Sequence, residues 1–600
     1  MGSRCCVYPH TVCTLTRHRI DGKYRQMILR AAFVAMTALF VEAGPPDQPT
    51  YTFLRNATEA PAVSYYDYIV VGGGTAGCPL AATLSRNYSV LVLERGGSPY
   101  GNPNITNMAA FGEALSDTSP SSPSQRFISE DGVINARARV LGGGTCLNAG
   151  FYTRASQDYV RDVGWDGKLV NESYQWVERK VAFEPTVREW QAAVRDGLVE
   201  AGVHPYNGFT YDHVGGTKVG GTIFDESGSR HTAADLLQYA DPTRITVLLY
   251  SVVHEILFRI SGEPRPVAHG VMFRDSAGVE HRALLRPGGG EVIVSAGAIG
   301  SPQLLMLSGV GPSQQLRALN ISVVVDQPLV GQGMSDNPMN AIFVPSPSPV
   351  EVSLIQVVGI TQFGTYIEAA SGENFAGHGD YGMFSPKIGQ LSTLPPKQRT
   401  PEAIAKAVED MKVLDPAAFR GGFILEKIMG PVSSGYMVLR SRDPDENPSV
   451  TFNYFGDPVD LRRCVEGISI IERVIESRPF TNFTYDHFSM QQLLNMTLNA
   501  PINLLPKHRN SSVSLEQYCR DSVMTIWHYH GGCQVGRVVD ADYRVVGVDG
   551  VRVVDGSTFN SSPGTNPQAT VMMLGRYMGV RILNQRLAME ADGELSKISS

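Results

Sequence analysis

The residues with the clearest chemical meaning are three glycines at the end of a short apolar run. Gly72, Gly74 and Gly77 follow Tyr68-Ile-Val-Val71 and form the pattern G-x-G-x-x-G. In this pattern the first glycine permits a tight turn, the second lets the backbone approach a pyrophosphate, and the third lets the next helix pack against the strand. The spacing predicts a strand, a phosphate-binding turn and a helix that begins near Ala76.

An acidic residue follows at the distance that a dinucleotide site requires. The run Ser89-Val-Leu-Val-Leu93 predicts a second strand, and Glu94 lies at its end. An acid about twenty residues after the glycines binds a ribose hydroxyl and disfavours a phosphorylated ribose. The alternative is a plain structural turn between strand and helix. Glu94 favours the dinucleotide, and the spacing does not distinguish NAD from FAD.

A second glycine-rich turn follows further along the chain. Ala138-Arg-Val-Leu-Gly-Gly-Gly-Thr-Cys-Leu-Asn148-Ala-Gly-Phe-Tyr152 combines glycines with an asparagine and aromatic residues. A mononucleotide has little use for this cluster, whereas the pyrophosphate and ribityl chain of a flavin dinucleotide need close backbone along their length. The polar stretch from Glu94 to about Ile134 is interpreted as a loop that lies over the cofactor.

Buried strands are needed to bring these turns to one edge of a sheet. Ile69 to Val71 is apolar and β-branched, as in a parallel strand buried on both faces. A third strand with a glycine turn and an apolar helix is predicted at 291–311, and adjacent strands of the same sheet at 245–258. Helical patterning occupies 156–226. Ligands of open α/β sheets collect at the carboxyl ends of strands, so the three glycine junctions predict one site.

Length and composition limit the class of protein. The chain has 600 residues, too many for one domain, and 43% of them are hydrophobic, which is enough for one or two buried cores. The formal net charge is −7 and no basic tract is present. This balance argues against a nucleic-acid partner.

The first 45 residues are interpreted as a leader and residues 46–63 as a linker. An apolar segment from Met27 to Gly44 follows a basic stretch and precedes small residues, which is the order of a secretory signal peptide. The alternatives are a signal anchor and an organelle leader, and Met27 is a second candidate for the start. We expect a secreted protein with no stable membrane span after cleavage.

Sequons and cysteines also bear on the compartment. N-x-S/T sequons predict a glycoprotein, although Asn560 is too near the predicted cofactor site to carry sugar comfortably. Beyond the leader, Cys464 and Cys519 flank one segment and are candidates for a disulfide, with two buried free thiols as the alternative. The sequons are at Asn56, Asn87, Asn104, Asn171, Asn320, Asn482, Asn495, Asn510 and Asn560.

Four ordered stretches carry a family resemblance. Residues 68–95, 137–154, 291–312 and 524–583 resemble the signature blocks of the glucose-methanol-choline (GMC) flavoprotein oxidoreductases. Trp527-His-Tyr-His-Gly-Gly-Cys533 and Arg576-Tyr-Met-Gly are typical of the plant branch that holds HOTHEAD-like proteins and mandelonitrile lyases.

The resemblance implies an α/β fold with two domains. One is a Rossmann-like, glutathione-reductase-like FAD-binding domain, and the other is a discontinuous α+β substrate domain whose sheet roofs the flavin. The implied FAD-binding domain consists of residues 64–155, 231–331 and 521–590. The implied substrate domain consists of 156–230 and 332–520, and 591–600 form a C-terminal tail.

The resemblance also implies a set of cofactor-binding residues. They comprise the first glycine turn with Glu94, the second glycine turn, the residue that meets adenine, and the last block beside the flavin. No signature for covalent flavin attachment is present, so tight noncovalent binding of FAD is expected. The residues are Gly72, Gly74, Thr75, Ala76, Gly77, Glu94, Val140, Gly144, Asn148, Ala149, Gly150, Phe151, Val253, Trp527, Asp555, Gly556, Pro567 and Gln568.

The chemistry implied by the resemblance is oxidation of an alcohol. His528 matches the histidine that faces flavin N5, and Asn566 matches the polar residue opposite. An imidazole is suited to take the hydroxyl proton as hydride leaves, and an amide holds the alcohol oxygen without titrating. A primary alcohol, with long-chain ω-hydroxy fatty acids as one hypothesis, is the expected substrate. The electron acceptor and oligomeric state stay open.

Three other interpretations compete with alcohol oxidation. Related hydroxynitrile lyases usually carry tyrosine before the tryptophan and histidine at the second position, where this chain has Ile526 and Asn566; this difference favours oxidation over cyanide release. A flavin-bearing scaffold without catalysis is the third hypothesis. A metal site at His528, His530 and Cys533 is disfavoured because no fourth ligand follows at a familiar spacing.

Overall fold

The computed structural model describes residues 49–117, 119–372, 421–499 and 514–598. The predicted leader, residues 1–45, lies outside these residues, as does the sequon at Asn510. The described residues from Pro49 onward form one compact unit.

The described residues form 26 strands of two to eight residues each. They are β1 (Leu54–Asn56), β2 (Val63–Tyr66), β3 (Tyr68–Val71), β4 (Val90–Glu94), β5 (Ser124–Ile128), β6 (Ile134–Ala138), β7 (Phe151–Tyr152), β8 (Tyr206–Phe209), β9 (Gly216–Val219), β10 (Gly221–Thr222), β11 (Ile245–Leu249), β12 (Val252–Arg259), β13 (Val267–Arg274), β14 (Glu280–Leu285), β15 (Glu291–Val294), β16 (Val310–Gly311), β17 (Val325–Asp326), β18 (Gln332–Met334), β19 (Pro338–Pro345), β20 (Val357–Ile360), β21 (Thr365–Ser371), β22 (Gly421–Ile428), β23 (Gly435–Val438), β24 (Ser449–Thr451), β25 (Met524–Thr525) and β26 (Val551–Val553).

The α-helices are distributed along the whole described chain. They are α1 (Gly77–Leu84), α2 (Pro103–Thr106), α3 (Phe111–Ser116), α4 (Gln157–Val163), α5 (Gly167–Val181), α6 (Glu189–Glu200), α7 (Gly297–Leu307), α8 (Ser313–Ala318), α9 (Pro458–Ile475), α10 (Met490–Asn499), α11 (Leu515–Ser522) and α12 (Gln568–Ile598).

A six-stranded parallel sheet carries the glycine turns. Its order is β1-β11-β4-β3-β15-β26, and every neighbouring pair is parallel. The central strands are fully buried because alternate residues enter two different cores. Val70 and Val92 pack with the helices on one face, and Ile69 and Leu91 pack with α7 on the other. The predicted α/β class and the parallel sheet are confirmed.

A second, mainly antiparallel sheet lies in the order β12-β13-β14-β2. The sequence predicted that both strands of 245–258 belong to the parallel sheet. β11 does, but β12 pairs with β13 in this second sheet. Tyr250 separates the two strands and has a φ of +58°, so the chain turns there out of the first sheet.

A seven-stranded sheet forms the roof over the cofactor side of the molecule. Its order is β25-β19-β22-β21-β20-β9-β8. One face packs on α6 and α9, which contribute Trp190, Val194, Ile468 and Ile471 to a common core. The other face carries apolar side chains such as Phe343, which pack with Ile526 and Trp527 directly after β25. The roof predicted from the resemblance is therefore present.

The stretch from residue 95 to 134 contains regular structure that the sequence interpretation did not include. α2 and α3 lie within it, and β5 pairs with β6 as an antiparallel hairpin. Short asparagine-capped helices explain its polar composition, because Asn102 accepts a hydrogen bond from the Asn104 amide at the start of α2. The interpretation of this stretch as one loop was incomplete.

The domain boundaries remain a prediction. α5, which the sequence interpretation placed in the substrate domain, packs with α1 and α12 in the core beneath the parallel sheet. Cys464 on α9 and Cys519 on α11 are joined by a disulfide, while Cys78, Cys146 and Cys533 are buried free thiols. None of the described helices combines the length with the apolarity that a membrane crossing requires.

Candidate active site

The first glycine turn joins β3 to α1 where the chain leaves no room for side chains. Gly72 has a φ of +101°, and a Cβ on it would lie 2.4 Å from the Ser295 carbonyl oxygen. A Cβ on Gly77 would lie 2.0 Å from the Gly72 carbonyl oxygen. At Gly74, by contrast, the nearest atom would be 3.7 Å away. The first and third glycines thus serve close packing, and the second presents open backbone to a ligand.

Glu94 lies at the end of β4 beside this turn. Its carboxylate accepts hydrogen bonds from the backbone amides of Gly73, at 3.0 Å, and Gly96, at 2.8 Å. Burial nevertheless raises its pKa above the usual value. Each carboxylate oxygen has two lone pairs, so Glu94 retains capacity to accept from a ribose hydroxyl.

A long cavity runs along the carboxyl edge of the parallel sheet and beneath the roof. The predicted site residues line this cavity, with the exception of Gly77, whose role is packing. Lining residues are Gly72, Gly74, Thr75, Ala76, Glu94, Val140, Gly144, Asn148, Ala149, Gly150, Phe151, Val253, Trp527, His528, Asp555, Gly556, Asn566, Pro567 and Gln568.

Hydrogen bonds tie the second glycine turn to the last block of the sequence. Asn148 donates from Nδ2 to Gln568 Oε1 at 2.8 Å, and Gln568 donates from Nε2 to the Phe151 carbonyl at 2.6 Å. Arg230 donates to Asn148 Oδ1 at 3.0 Å. Residues more than 400 positions apart in the sequence therefore form one wall of the cavity.

Asp555 connects β26 to the start of α7. Its carboxylate accepts from the Gly297 amide at 2.9 Å, the Ser301 hydroxyl at 2.5 Å and the Ser557 amide at 2.8 Å. Burial raises the pKa of this carboxyl group. The neighbouring Gly556 has open space where a side chain would stand, which leaves backbone accessible to a ligand.

His528 is buried in the cavity wall and is held from one side. Its Nδ1 lies 3.2 Å from the Tyr366 hydroxyl and 3.2 Å from Asn337 Nδ2. Both hydrogen bonds of the imidazole among the described residues involve Nδ1, so Nε2 is the nitrogen left for a ligand. The backbone amide of His528 donates to Asp336 Oδ1 at 3.0 Å.

The backbone before His528 is fixed by polar contacts. Trp527 has a φ of +60°, and its amide donates to Thr525 Oγ1 at 2.7 Å. Asp336 accepts from Thr525 Oγ1 at 2.6 Å as well, and burial raises the Asp336 pKa to about 6. A non-glycine residue keeps this conformation only where its surroundings enforce it.

The electrostatic setting keeps the imidazole neutral. Burial is the main cause that holds the pKa of His528 well below its usual value, and the nearby Lys427 ammonium lowers it further. Asn566 lines the cavity, and its Oδ1 is buried without a hydrogen-bond partner in the described ranges. Polar atoms buried this way are costly unless a ligand satisfies them.

His530 does not line the cavity. Its Nδ1 lies 3.0 Å from the His528 carbonyl oxygen, and its backbone pairs with Ser335. Burial lowers its pKa to about 4. This contact stabilises the His528 segment. Among the residues that the structure describes, no cluster of His, Cys, Asp or Glu is arranged to hold a metal ion.

Several residues around His528 were absent from the sequence prediction. Tyr366, Glu368 and Lys427 come from two roof strands, and Asn337 lies directly before a third. The available signal was the presence of charged residues, Glu368 and Lys427, inside otherwise apolar strand runs. Such charges are rarely buried without a functional or structural reason.

The comparisons with known proteins agree with this geometry. A family model described as GMC oxidoreductase matches in two parts, an N-terminal part over residues 66–339 and a C-terminal part over residues 431–575. Together these ranges cover more than half of the chain. The chain belongs to the GMC oxidoreductase family. The resemblance stated from the signature blocks is thereby confirmed.

Curated GMC relatives extend over most of this chain. It is 56% identical to Protein HOTHEAD from Arabidopsis thaliana, over 88% of this chain and 90% of the relative. It is 42% identical to (R)-mandelonitrile lyase 3 from Prunus serotina, over 90% and 89% of the two chains. It is also 42% identical to a sinalpyl alcohol oxidase from Nesocodon mauritianus, over 90% and 92%.

Solved structures share the fold of this GMC chain. A formate oxidase crystal structure matches with a TM-score of 0.69 and 19% identity, over 88% of this chain and 99% of that one. A pyridoxine 4-oxidase from Mesorbium loti matches with a TM-score of 0.68 and 20% identity, over 86% and 98%. The predicted architecture is confirmed at this level.

FAD is the cofactor of this GMC chain. The described residues fit it, because Gly74 and Gly556 leave backbone open along the cavity and Glu94 lies beside the first turn. These residues would hold the dinucleotide.

Proposed function

We propose that this FAD-dependent GMC oxidoreductase oxidises a primary alcohol, with His528 as the base. Long-chain ω-hydroxy fatty acids are the substrate hypothesis, supported by the 56% identity to Protein HOTHEAD and the resemblance to HOTHEAD-like proteins. An alcohol oxidase among the relatives supports the reaction class.

One observation carries the proposal. His528 presents an imidazole with a lowered pKa to the cavity; Nδ1 is held by Tyr366 and Asn337, and Nε2 has no hydrogen-bond partner among the described residues. A neutral imidazole at neutral pH is a competent proton acceptor. Its fixed ring orientation lowers the entropy loss in reaching a reactive geometry.

The cavity residues and the cofactor have different roles in the proposed reaction. Bound FAD supplies the acceptor that takes hydride from the carbinol carbon. His528 accepts the hydroxyl proton of the alcohol at Nε2, and the Asn566 side chain donates a hydrogen bond from Nδ2 to the same oxygen. The products are an aldehyde, reduced cofactor and a protonated imidazole. The roof excludes water and so strengthens each polar contact.

Base catalysis at Nε2 requires a proton on Nδ1. The Tyr366 hydroxyl accepts from Nδ1, and the Asn337 carboxamide does so when its oxygen faces the ring. In the orientation that the structure shows, Asn337 Oδ1 has no hydrogen-bond partner among the described residues. Turning the amide would place that oxygen 3.2 Å from His528 Nδ1, where it can share the Nδ1 proton with the Tyr366 hydroxyl.

A second candidate is a hydroxynitrile lyase that releases cyanide from a cyanohydrin. It is favoured by the identity to (R)-mandelonitrile lyase 3. Against it, Ile526 lines the cavity as an apolar residue and Asn566 stands where the lyase branch carries a second imidazole. A noncatalytic flavin-bearing wall protein is the third option, and the preserved histidine argues against it.

Anaerobic mixing of the yellow holoenzyme with primary alcohols tests the proposal. Bleaching of the flavin absorbance is expected with alcohols, including ω-hydroxy fatty acids. Cyanide release from mandelonitrile without bleaching by any alcohol would establish the lyase instead. The absence of both signals would favour the noncatalytic flavin-bearing protein.

Secretion is proposed for the same chain. Five sequon asparagines away from the cavity are exposed, and the disulfide between Cys464 and Cys519 suits an oxidising compartment. Removal of N-linked sugar from protein secreted by a plant host should reduce its apparent mass; unchanged mass would contradict the glycoprotein prediction. The exposed asparagines are Asn87, Asn104, Asn171, Asn320 and Asn482.

A further inference from the structure

The roof contains a charged pair that the proposed chemistry does not use. Glu368 on β21 and Lys427 on β22 are both completely buried, and their carboxylate and ammonium groups contact each other. We name these two residues the roof pair. Glu368 lines the same cavity as His528. A buried charge pair at a ligand cavity requires a physical account.

Strand register places the roof pair beside the proposed base. Tyr366 is directly opposite Lys427 across β21 and β22, and Glu368 is two residues further along β21. Residues two apart in a strand share one face and are roughly 7 Å apart. The Tyr366 hydroxyl contacts His528, and Glu368 and His528 line the same cavity, so the roof pair and the proposed base are neighbours along one cavity wall.

The roof pair has too few partners for its burial. In the described part of the chain, neither side chain has a hydrogen bond beyond their mutual contact. Lys218, another buried lysine of the same sheet, differs in this respect. Its ammonium donates to the Thr153 hydroxyl and to two backbone carbonyls. Lys218 is a satisfied structural lysine, whereas Lys427 has donors to spare.

The surrounding roof side chains cannot supply the missing partners. In the strand register, the neighbours of Lys427 and Glu368 on this face are Met339, Tyr366, Leu425 and Val358. Lys427 Nζ lies 5.3 Å from the centre of the Tyr366 ring, while the Tyr366 hydroxyl contacts His528; the other three side chains carry no strong donor or acceptor. Glu368 lines the cavity and Lys427 contacts its carboxylate, so the remaining hydrogen-bonding capacity of the roof pair is available to a ligand that reaches Glu368.

We propose that the roof pair is a subsite that binds a second hydroxyl group of the alcohol substrate. The proposal rests on the alcohol oxidation proposed above and narrows its substrate class to alcohols that carry a second hydroxyl group, so it disfavours an ω-hydroxy fatty acid whose chain is otherwise unsubstituted. A hydroxyl donates to Glu368 and accepts from Lys427, so it satisfies both members. A carboxylate near this point is repelled by Glu368, and an ammonium by Lys427. An unsubstituted alkyl chain satisfies neither.

Matched alcohols that differ only in a second hydroxyl test this subsite. The holoenzyme is mixed anaerobically with butanediol, pentanediol and hexanediol, each hydroxylated at both ends, and with butanol, pentanol and hexanol. The initial shift of flavin absorbance measures binding, and the later bleaching measures oxidation. At least one diol is expected to bind about tenfold or more tightly than the monoalcohol of its length, as a hydrogen bond to a charged group predicts.

A double variant tests whether the roof pair is responsible. Glu368→Met with Lys427→Met removes both charges together and leaves no unpaired charge in the roof. The variant is expected to lose the diol preference and to bind monoalcohols at least as well as the wild type. A preference that survives in the variant would overturn the proposal.

The wild type alone also decides the question. Equal binding of diols and monoalcohols at every length overturns the subsite, whether or not the variant folds. Preferential diol binding without bleaching supports the subsite and contradicts alcohol oxidation, so the two proposals fail separately.

Discussion

The Tyr366 hydroxyl lies 3.2 Å from His528 Nδ1, although 162 positions separate the two residues in the chain. A residue of the roof thereby controls the orientation of a residue in the last block. The contact is completed by Asn337 on the other side of the same nitrogen. The proposed base is therefore held by the roof and lines the cofactor cavity.

Replacing His528 with alanine should slow flavin bleaching by on the order of a hundredfold or more, since the proton acceptor is removed. FAD should remain bound, because the glycine turns that hold the dinucleotide are unchanged. Rapid mixing with a primary alcohol measures the rate. His487→Ala is the control, because His487 is exposed and outside the cavity. Equal bleaching rates in the two variants would show that His528 is not the base.

Tyr366→Phe and Asn337→Asp separate orientation from charge. The phenylalanine variant loses one hydrogen bond and should bleach about two- to tenfold more slowly, with an unchanged pH midpoint. The aspartate variant keeps the shape but places a carboxylate against Nδ1, which raises the His528 pKa. Its bleaching rate should therefore fall at a higher pH than in the wild type.

A pH series of bleaching rates measures both effects. Tyr436→Phe is the control for loss of a phenol hydroxyl, because this side chain is exposed on β23, outside the roof sheet. Identical pH midpoints in the wild type and in Asn337→Asp would contradict the proposed contact with the base.

Gly74→Ala and Gly77→Ala should fail in different ways. A Cβ at position 77 would lie 2.0 Å from the Gly72 carbonyl oxygen, so Gly77→Ala should be less stable with or without FAD. A Cβ at position 74 would lie 3.7 Å from its nearest neighbour, which is an ordinary contact distance. Gly74→Ala should therefore leave the apoprotein stable but weaken FAD binding, because the methyl group occupies space meant for the ligand. Thermal melting of the apoprotein and FAD titration distinguish the two. An FAD affinity in Gly74→Ala equal to the wild type would contradict the phosphate-binding role.

Stability should fall on acidification because of His530. Burial lowers its folded pKa to about 4 from a usual value of 6.5, so the unfolded chain binds more protons between these pH values. The stabilisation is complete above pH 6.5 and decreases as pH falls toward 4. With about 1.4 kcal/mol per pKa unit, the loss is roughly 3 kcal/mol.

Melting temperatures of the wild type and His530→Gln over this pH range check the assignment. Glutamine retains a donor toward the His528 carbonyl but does not titrate. The difference in melting temperature between the two proteins should shrink as the pH falls. A constant difference would show that His530 is not the titrating group.

Removing the disulfide should reduce the free energy of unfolding by about 4 kcal/mol, from the loop-entropy estimate for a separation of 55 residues. Cys464→Ser with Cys519→Ser should melt at a lower temperature than the oxidised wild type. Reductant should lower the melting temperature of the wild type and leave that of the variant unchanged. A response of the variant to reductant would contradict the prediction.

The cofactor-binding side of the molecule could be predicted from the sequence because its backbone requirements involve residues that are close together in the chain. The first glycine turn, Glu94 and the turn before α7 each follow a buried strand within a few residues, and their backbone requirements act between neighbours in the chain. The strand from Val252 was misplaced for the opposite reason. Whether it continues in the parallel sheet or joins β13 is decided by pairing with distant residues.

The amino-acid sequence by itself determined the dinucleotide-binding turns, the family and the histidine of the last block, because each is encoded in a short contiguous pattern. Only the tertiary structure decided that Tyr366 and Asn337 hold His528 and that Glu368 and Lys427 meet in the roof. Antiparallel strands bring these residues together through a register set by long-range hydrogen bonds and packing, and no local pattern specifies that register.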